Sequence, residues 1–150
     1  MGGAELIGKE EQEAVSEVIG RGVLFRYGFN EKRKNIFKVL DFESRFARYM
    51  GCKHALGVSS GSAAVRVAVA ALGIQRGDEV ITQCFTFVAT VEGILEAGAT
   101  PVLTEVDASL NMDPKDLEAK ISPKTRAIMP VHMLGVPARM DEILAIARKK

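Results

Sequence analysis

From Ala55 onward the sequence alternates short apolar runs with longer segments of helical periodicity, and this alternation limits the possible folds most strongly. Apolar runs at 55–58, 79–83, 100–106 and 126–131 predict strands, and the segments between them predict helices. Strands separated by helices pair in parallel through right-handed crossovers, with helices covering both faces of the sheet. The sequence therefore predicts an α/β fold with a mostly parallel sheet.

Apolar spacing and end signals predict the helices. Two precede the first strand: one over 10–19, and one that starts near Asp41 as N-cap and ends before Gly51. The helix after the first strand, 62–72, is apolar nearly all round except for Arg66, so we expect it to be buried. Further helices are predicted at 86–97, at 114–120 and from Met140 to the carboxyl end.

Composition excludes several classes of protein. The 150 residues carry 20 basic and 19 acidic side chains, a net charge of +1, which argues against a nucleic-acid binder that neutralises phosphates with a basic face. Cys52 and Cys84 are far apart and lack partners at metal-ligand spacing, so we expect buried, reduced thiols and no metal. Met1–Leu6 shows no apolar stretch of signal length, which predicts a cytoplasmic protein without membrane contact.

The turn Ser59-Ser60-Gly61-Ser62 joins the first predicted strand to an apolar helix, an arrangement that suits an anion. The first amides of a helix lack intrahelical partners, the dipole adds positive charge, and Ser62 offers a hydroxyl. Gly61 lets the backbone come close. Because no Walker lysine follows and GxGxxG spacing is absent, a single phosphate is favoured over a pyrophosphate. A plain turn with an N-cap remains the alternative.

Other polar and aromatic residues follow the predicted strands, where ligands bind in open α/β sheets. Phe87 adjoins an apolar helix face, so core packing is its commonest fate, and ring stacking requires a planar cofactor at the strand ends. His132 either titrates near neutrality or hydrogen-bonds a carbonyl, and we favour the second. Glu92 and Glu96 lie opposite the apolar stripe of their helix and are expected to be solvated.

Linked motifs from residue 58 onward resemble the DegT/DnrJ/StrS group of sugar aminotransferases. The similarity runs in order and without large gaps from Asp41 to the end of the chain. Several motifs in sequence are far more specific than any one of them. The motifs are VSSGSAA (58–64), LGI (72–74) with GDEVI (77–81), TFVAT (86–90), GATPV (98–102), AIMPVH (127–132) and PARMD (137–141).

This resemblance implies the large domain of a fold-type I enzyme that depends on pyridoxal 5′-phosphate (PLP), a three-layer sandwich that is incomplete here. Residues 1–50 would be an amino-terminal helical segment and loop, and residues 51–150 the first half of the PLP-binding domain. Such enzymes move an amino group, commonly from glutamate, to a keto sugar that is usually nucleotide-linked, as in cell-envelope polysaccharide synthesis. The resemblance also implies a homodimer.

Site residues follow from the same resemblance, position by position. Gly61 and Ser62 would hold the cofactor phosphate with the amide of Ala63 nearby, and Phe87 would stack on the pyridine ring. Ser62 stands where threonine is commoner, which keeps the hydroxyl and loses a methyl contact. Tyr27, in the loop around Arg26, would lie near the substrate entrance.

In the resembling family, the lysine that bonds covalently to the cofactor and the aspartate that pairs with the ring nitrogen lie beyond the position of Lys150. None of the lysines here matches that position, so we expect no catalytic residue in this chain and no activity from it alone. The first strand would also lack its usual neighbours, which predicts instability. Three alternatives stay open: a dehydratase that uses histidine in place of the lysine, a non-catalytic phosphate-binding or interaction module, and a regulatory member of the group.

Overall fold

A computed structural model describes residues 4–149, which divide into two units. The first unit extends to Gly57 and the second begins at Val58. Met1–Gly3 and Lys150 lie outside the described residues, and so does the part of the targeting prediction that rests on them.

The amino-terminal unit contains two helices, α1 (Lys9–Arg21) and α2 (Lys38–Met50), after a short 3-10 turn at Ala4–Leu6. The predicted start of α2 at Asp41 is wrong. The Asp41 amide already donates to the Phe37 carbonyl at 3.0 Å, so the helix begins about one turn before Asp41. Phe37 occupies the N-cap position.

Residues 55–58 form no strand, contrary to the prediction. A strand needs a neighbour that completes its backbone hydrogen bonds, and none of the three strands in the described part of the chain pairs with this run. At Gly57, side chains satisfy the backbone groups that a neighbouring strand would otherwise bind. The Gly57 N–H donates to Glu43 Oε1 at 2.6 Å, and its carbonyl accepts from Arg26 at 3.5 Å.

The second unit is built around a parallel sheet of β1 (Glu79–Gln83), β2 (Thr100–Thr104) and β3 (Thr125–Met129). The spatial order is β2-β1-β3, so β1 is central and both its neighbours run parallel to it. The prediction of an α/β fold with a parallel sheet is confirmed. The structure ends β2 and β3 two residues before the predicted limits, at Thr104 and Met129.

Helices lie on both faces of the sheet, which gives three layers. Successive side chains of a strand point to opposite faces, so Val80 joins one core cluster and Ile81 the other. The Val80 cluster includes residues of α3 and α4, and the Ile81 cluster includes residues of α5 and α6. The helices are α3 (Gly61–Ala71), α4 (Val88–Glu96), α5 (Pro114–Lys120) and α6 (Met140–Lys149), with a 3-10 turn at Met133–Gly135 before α6.

Helix α3 is not the buried helix that its composition predicts. Val69 is its only fully buried residue, and several of its other apolar residues are exposed. The physical reason is that α3 packs mainly against α4, so only one stripe of its surface is covered.

Candidate functional site

The serine-glycine turn is the start of α3. Ser60 is the N-cap residue: its Oγ accepts the Ala63 amide at 3.1 Å and its carbonyl accepts the Ala64 amide at 3.0 Å. The Ser60 hydroxyl satisfies one orphan amide of the first turn, that of Ala63, and the bond from Ala64 is the first regular bond of the helix. The sequence analysis allowed for an N-cap in this turn but did not assign it to Ser60, the serine three residues before the Ala63 amide.

Two amides at this helix start have no acceptor within residues 4–149, namely those of Gly61 and Ser62. Both residues are exposed, and a Cβ built at Gly61 would meet nothing within 4 Å. Backbone donors, a hydroxyl and open space are the features that a phosphate group requires at a helix start. The Ala63 amide is committed to Ser60, so it reaches a ligand only if the Ser60 hydroxyl turns away.

Phe87 occupies the N-cap position of α4, one residue before the helix, in an extended conformation. Its side chain is 73% exposed, so the expectation of core packing is wrong. A largely exposed phenyl ring at the carboxyl side of the central strand is available to stack on a planar ligand.

Packing between α3 and α4 determines how the serine-glycine turn and the Phe87 ring are placed relative to each other, because α3 begins at the turn and α4 begins at Phe87. The helices approach closely at Gly93, which is buried in α4. A Cβ there would lie 2.7 Å from Val65 Cγ1, so only glycine fits. Arg66 and Glu96 add an exposed ion pair of 3.2 Å between the same helices.

His132 follows β3, in the loop that precedes α6. Its Nδ1 accepts the Ala138 amide at 3.0 Å, so the favoured contact with a carbonyl is wrong and the imidazole acts as acceptor. Because Nδ1 accepts, the neutral ring carries its proton on Nε2. This hydrogen bond connects the two ends of the loop, since His132 and Ala138 are six residues apart.

Tyr27 lies in the amino-terminal unit and is 78% exposed. The adjacent Arg26 binds the buried carboxylate of Glu43 at 2.6 Å. The Gly57 amide, followed by the Arg26 guanidinium, lowers the pKa of Glu43. Within the amino-terminal unit, Glu43 of α2 thus contacts both Arg26, in the loop that carries Tyr27, and Gly57.

The remaining sequence expectations concern metal ligands, thiols and a carboxylate pair. Among residues 4–149 no three His, Cys, Asp or Glu side chains come together as a metal site. Cys52 and Cys84 are exposed, so the expectation of buried thiols is wrong: each lies in irregular backbone at the end of an element. Glu92 and Glu96 are exposed, as predicted.

The sequence model of the DegT/DnrJ/EryC1/StrS aminotransferase family matches residues 5–150. The chain belongs to this family. The resemblance inferred from the motifs is confirmed, and PLP is the family's cofactor, since solved relatives include PLP and PMP forms. None of the helices in residues 4–149 is both long and apolar enough to cross a bilayer.

Two curated relatives of this family member carry names linked to sugars. Spore coat polysaccharide biosynthesis protein SpsC of Bacillus subtilis strain 168 is 44% identical over 144 residues, which cover 95% of this chain and 35% of SpsC. GDP-perosamine synthase of Caulobacter vibrioides is 45% identical over 112 residues, which cover 74% of this chain and 30% of the synthase. The chain thus spans about a third of the length of these relatives.

Solved structures share the fold. The crystal structure of 3-amino-5-hydroxybenzoic acid synthase superposes with a TM-score of 0.86 at 34% identity, covering 95% of this chain and 36% of the synthase. NtdA from Bacillus subtilis with bound cofactor PMP gives 0.82 at 30% identity, covering 96% of this chain and 32% of NtdA. The predicted fold of a PLP-dependent aminotransferase is confirmed.

Proposed function

We propose that this chain is the amino-terminal portion of a PLP-dependent aminotransferase that acts on a keto sugar, usually nucleotide-linked, with an amino acid as donor. The observation that carries the proposal is the pair of features at the carboxyl side of the sheet: two free amides with a hydroxyl at Gly61 and Ser62, and the exposed ring of Phe87. The names of SpsC and GDP-perosamine synthase support a sugar substrate. Residues 1–50 would be its helical segment and 51–150 the first half of the cofactor domain.

The residues of this chain would bind and orient the cofactor. The Gly61 and Ser62 amides and the Ser62 hydroxyl would donate to the phosphate, with the Ala63 amide as a further donor when Ser60 releases it. Phe87 would cover one face of the ring and exclude water from it. When bound, the cofactor supplies the electron sink and the carrier of the amino group.

Substrate contacts are proposed for the amino-terminal unit. Tyr27 is exposed, and Glu43 holds the neighbouring Arg26, so the loop presents the phenol in an ordered backbone. A phenol of this kind donates to sugar or phosphate oxygens.

Binding of PMP tests the proposal, because PMP has no aldehyde and cannot react with surface lysines. Calorimetric titration should show PMP binding and much weaker binding of pyridoxamine, which lacks the phosphate. Ser62→Ala should weaken PMP binding by about tenfold or more, since it removes a hydrogen bond to a charged group. Ser16→Ala, an exposed serine of α1 that is not part of the turn, is the matched control. Equal affinity for PMP and pyridoxamine would contradict the proposal.

We further propose that the chain alone forms no specific covalent bond to PLP, because no lysine here matches the family position. Treatment with PLP and borohydride, followed by mass mapping, should label exposed lysines without preference. Dominant labelling of a single lysine would overturn this part. We expect the enzyme to be a cytoplasmic homodimer. Light scattering of the protein tests whether it forms a dimer.

A further inference from the structure

Gln83, the last residue of β1, is completely buried and uses its full hydrogen-bonding capacity. Its Oε1 accepts the amides of Met112 at 3.2 Å and Val131 at 3.1 Å. Its Nε2 donates to the carbonyls of Phe85 and Leu110, both at 3.0 Å. Two N–H groups face the oxygen and two carbonyls face the nitrogen, so the partners fix the orientation of the amide.

These four partners lie on the three segments that follow the three strands. Phe85 follows β1, Leu110 and Met112 follow β2, and Val131 follows β3. The carboxyl ends of parallel strands form one edge of the sheet, which is where ligands bind in such folds. A single buried side chain therefore joins the loops at that edge.

Asn111 is a second buried amide at the same edge, and it contacts a different set of groups. Its Nδ2 donates to Ser109 Oγ at 3.1 Å and to the Val136 carbonyl at 3.2 Å, and its Oδ1 accepts the Met133 amide at 2.9 Å. None of these partners belongs to the segment 84–87. Asn111 thus provides a matched comparison of equal burial.

The segment 84–87 connects β1 to the exposed ring of Phe87. Four hydrogen bonds hold it: the Cys84 amide donates to the Thr104 carbonyl, the Thr86 and Thr90 hydroxyls lie 2.9 Å apart, the Thr90 amide donates to the Phe87 carbonyl at 3.0 Å, and Gln83 donates to the Phe85 carbonyl. Because the Phe87 ring is exposed and forms no cap hydrogen bond, its position depends on the backbone on either side: α4, through the Thr90 amide, and the segment that Gln83 contacts.

We propose that Gln83 is a positioning residue for the aromatic platform of the cofactor site. By holding the Phe85 carbonyl, it fixes the segment 84–87 and keeps the Phe87 ring in the orientation that stacks on the cofactor. That the Phe87 ring stacks on the cofactor rests on the proposed function. That Gln83 orders the segment 84–87 does not rest on it, so the stacking and the ordering of the segment are tested separately.

Phe87→Trp provides the reporter, because the chain contains no other tryptophan. In this background, Gln83→Glu keeps the size of the side chain, while its carboxyl group cannot donate to both the Phe85 and the Leu110 carbonyls, since it has one proton when protonated and none when ionised. Asn111→Asp is the control, since it makes the same change in a buried amide that does not touch the segment. Gln83→Asn, which is one methylene shorter, is the second variant if Gln83→Glu does not fold.

Two measurements are made on each folded variant, with circular dichroism as the check of folding: the fluorescence anisotropy of the reporter tryptophan without ligand, and the dissociation constant for PMP. The Gln83 variant should lose tryptophan anisotropy and bind PMP about two- to tenfold more weakly, the effect of a misplaced aromatic contact. The Asn111→Asp variant should keep the tryptophan anisotropy and the PMP affinity of the Phe87→Trp protein, even if its free energy of unfolding is lower.

Unchanged anisotropy in a folded Gln83 variant would overturn the inference, and so would an equal loss in Asn111→Asp. Failure of both Gln83 variants to fold, with Asn111→Asp folded, would also overturn it, because Gln83 would then support the whole unit. If the reporter chain does not bind PMP, the proposed function fails at this site, while the anisotropy comparison still decides whether Gln83 orders the segment.

Discussion

Replacement of Gly93 by alanine tests the packing of α3 against α4, which places the serine-glycine turn relative to the Phe87 ring. The new methyl group would lie 2.7 Å from Val65 Cγ1 and 3.5 Å from the backbone nitrogen of Arg66. Val65 is branched at Cβ and has a stiff χ1 in a helix, so it cannot swing away cheaply. The substitution should therefore push α3 and α4 apart.

Two opposing effects determine the size of the change. Alanine in a helix interior is favoured over glycine by about 0.5–1 kcal/mol. Overpacking of a close contact costs about 1–3 kcal/mol. We expect Gly93→Ala to lower the free energy of unfolding by about 0.5–2 kcal/mol, measured by urea denaturation followed by circular dichroism.

Gly20→Ala in α1 is the matched control, since a Cβ there meets nothing within 4 Å. It should stabilise its helix by about 0.5–1 kcal/mol. The double variant Val65→Ala/Gly93→Ala should be more stable than the sum of its single variants predicts, because the clash is removed. A Gly93→Ala protein more stable than its parent would refute the packing argument.

Four further predictions concern single side chains. Phe87→Ala should weaken PMP binding about two- to tenfold in calorimetry with an unchanged melting temperature, because the ring is exposed; a large drop in melting temperature would show a core role. Leu134 is 83% exposed and has a φ of 52°, so its replacement by glycine should raise the free energy of unfolding by about 1 kcal/mol, whereas replacement by alanine should not. Ser60→Ala should lose about 0.5–2 kcal/mol in urea denaturation because it removes the α3 cap; an unchanged midpoint would contradict that cap. The Gly57 amide lowers the pKa of Glu43 from its usual 4.5, so the ionised carboxylate stabilises the fold above that pH and the benefit is lost as the pH falls through the lowered pKa. In Glu43→Gln, the melting temperature should therefore fall less steeply as the pH decreases below 4.5.

Local patterns in the sequence predicted most of the second unit. The residues of β1 and α5 were predicted with the observed limits, because apolar runs with turn residues, and a proline in the first helical turn, are local signals. The run 55–58 has the composition of a strand, yet pairing depends on a distant neighbour, and the described chain offers none.

Tertiary contacts explain what local patterns could not predict at the site. The exposure of Phe87 depends on where α4 starts, and the pattern placed that ring inside the helix. The role of Gln83 depends on partners 27, 29 and 48 residues away, and no spacing rule connects them. The Ser62 turn was found because its signal lies within a few consecutive residues.

Amide chemical shifts of the ¹⁵N-labelled chain during titration with PMP test the central claim most directly, since they report the binding place residue by residue. Binding at the start of α3 predicts saturable shifts at Gly61 and Ser62, with further shifts around Phe87, and no comparable change with pyridoxamine. Saturable shifts confined to other residues, or the same shifts with pyridoxamine, would contradict the claim that this helix start binds the cofactor phosphate.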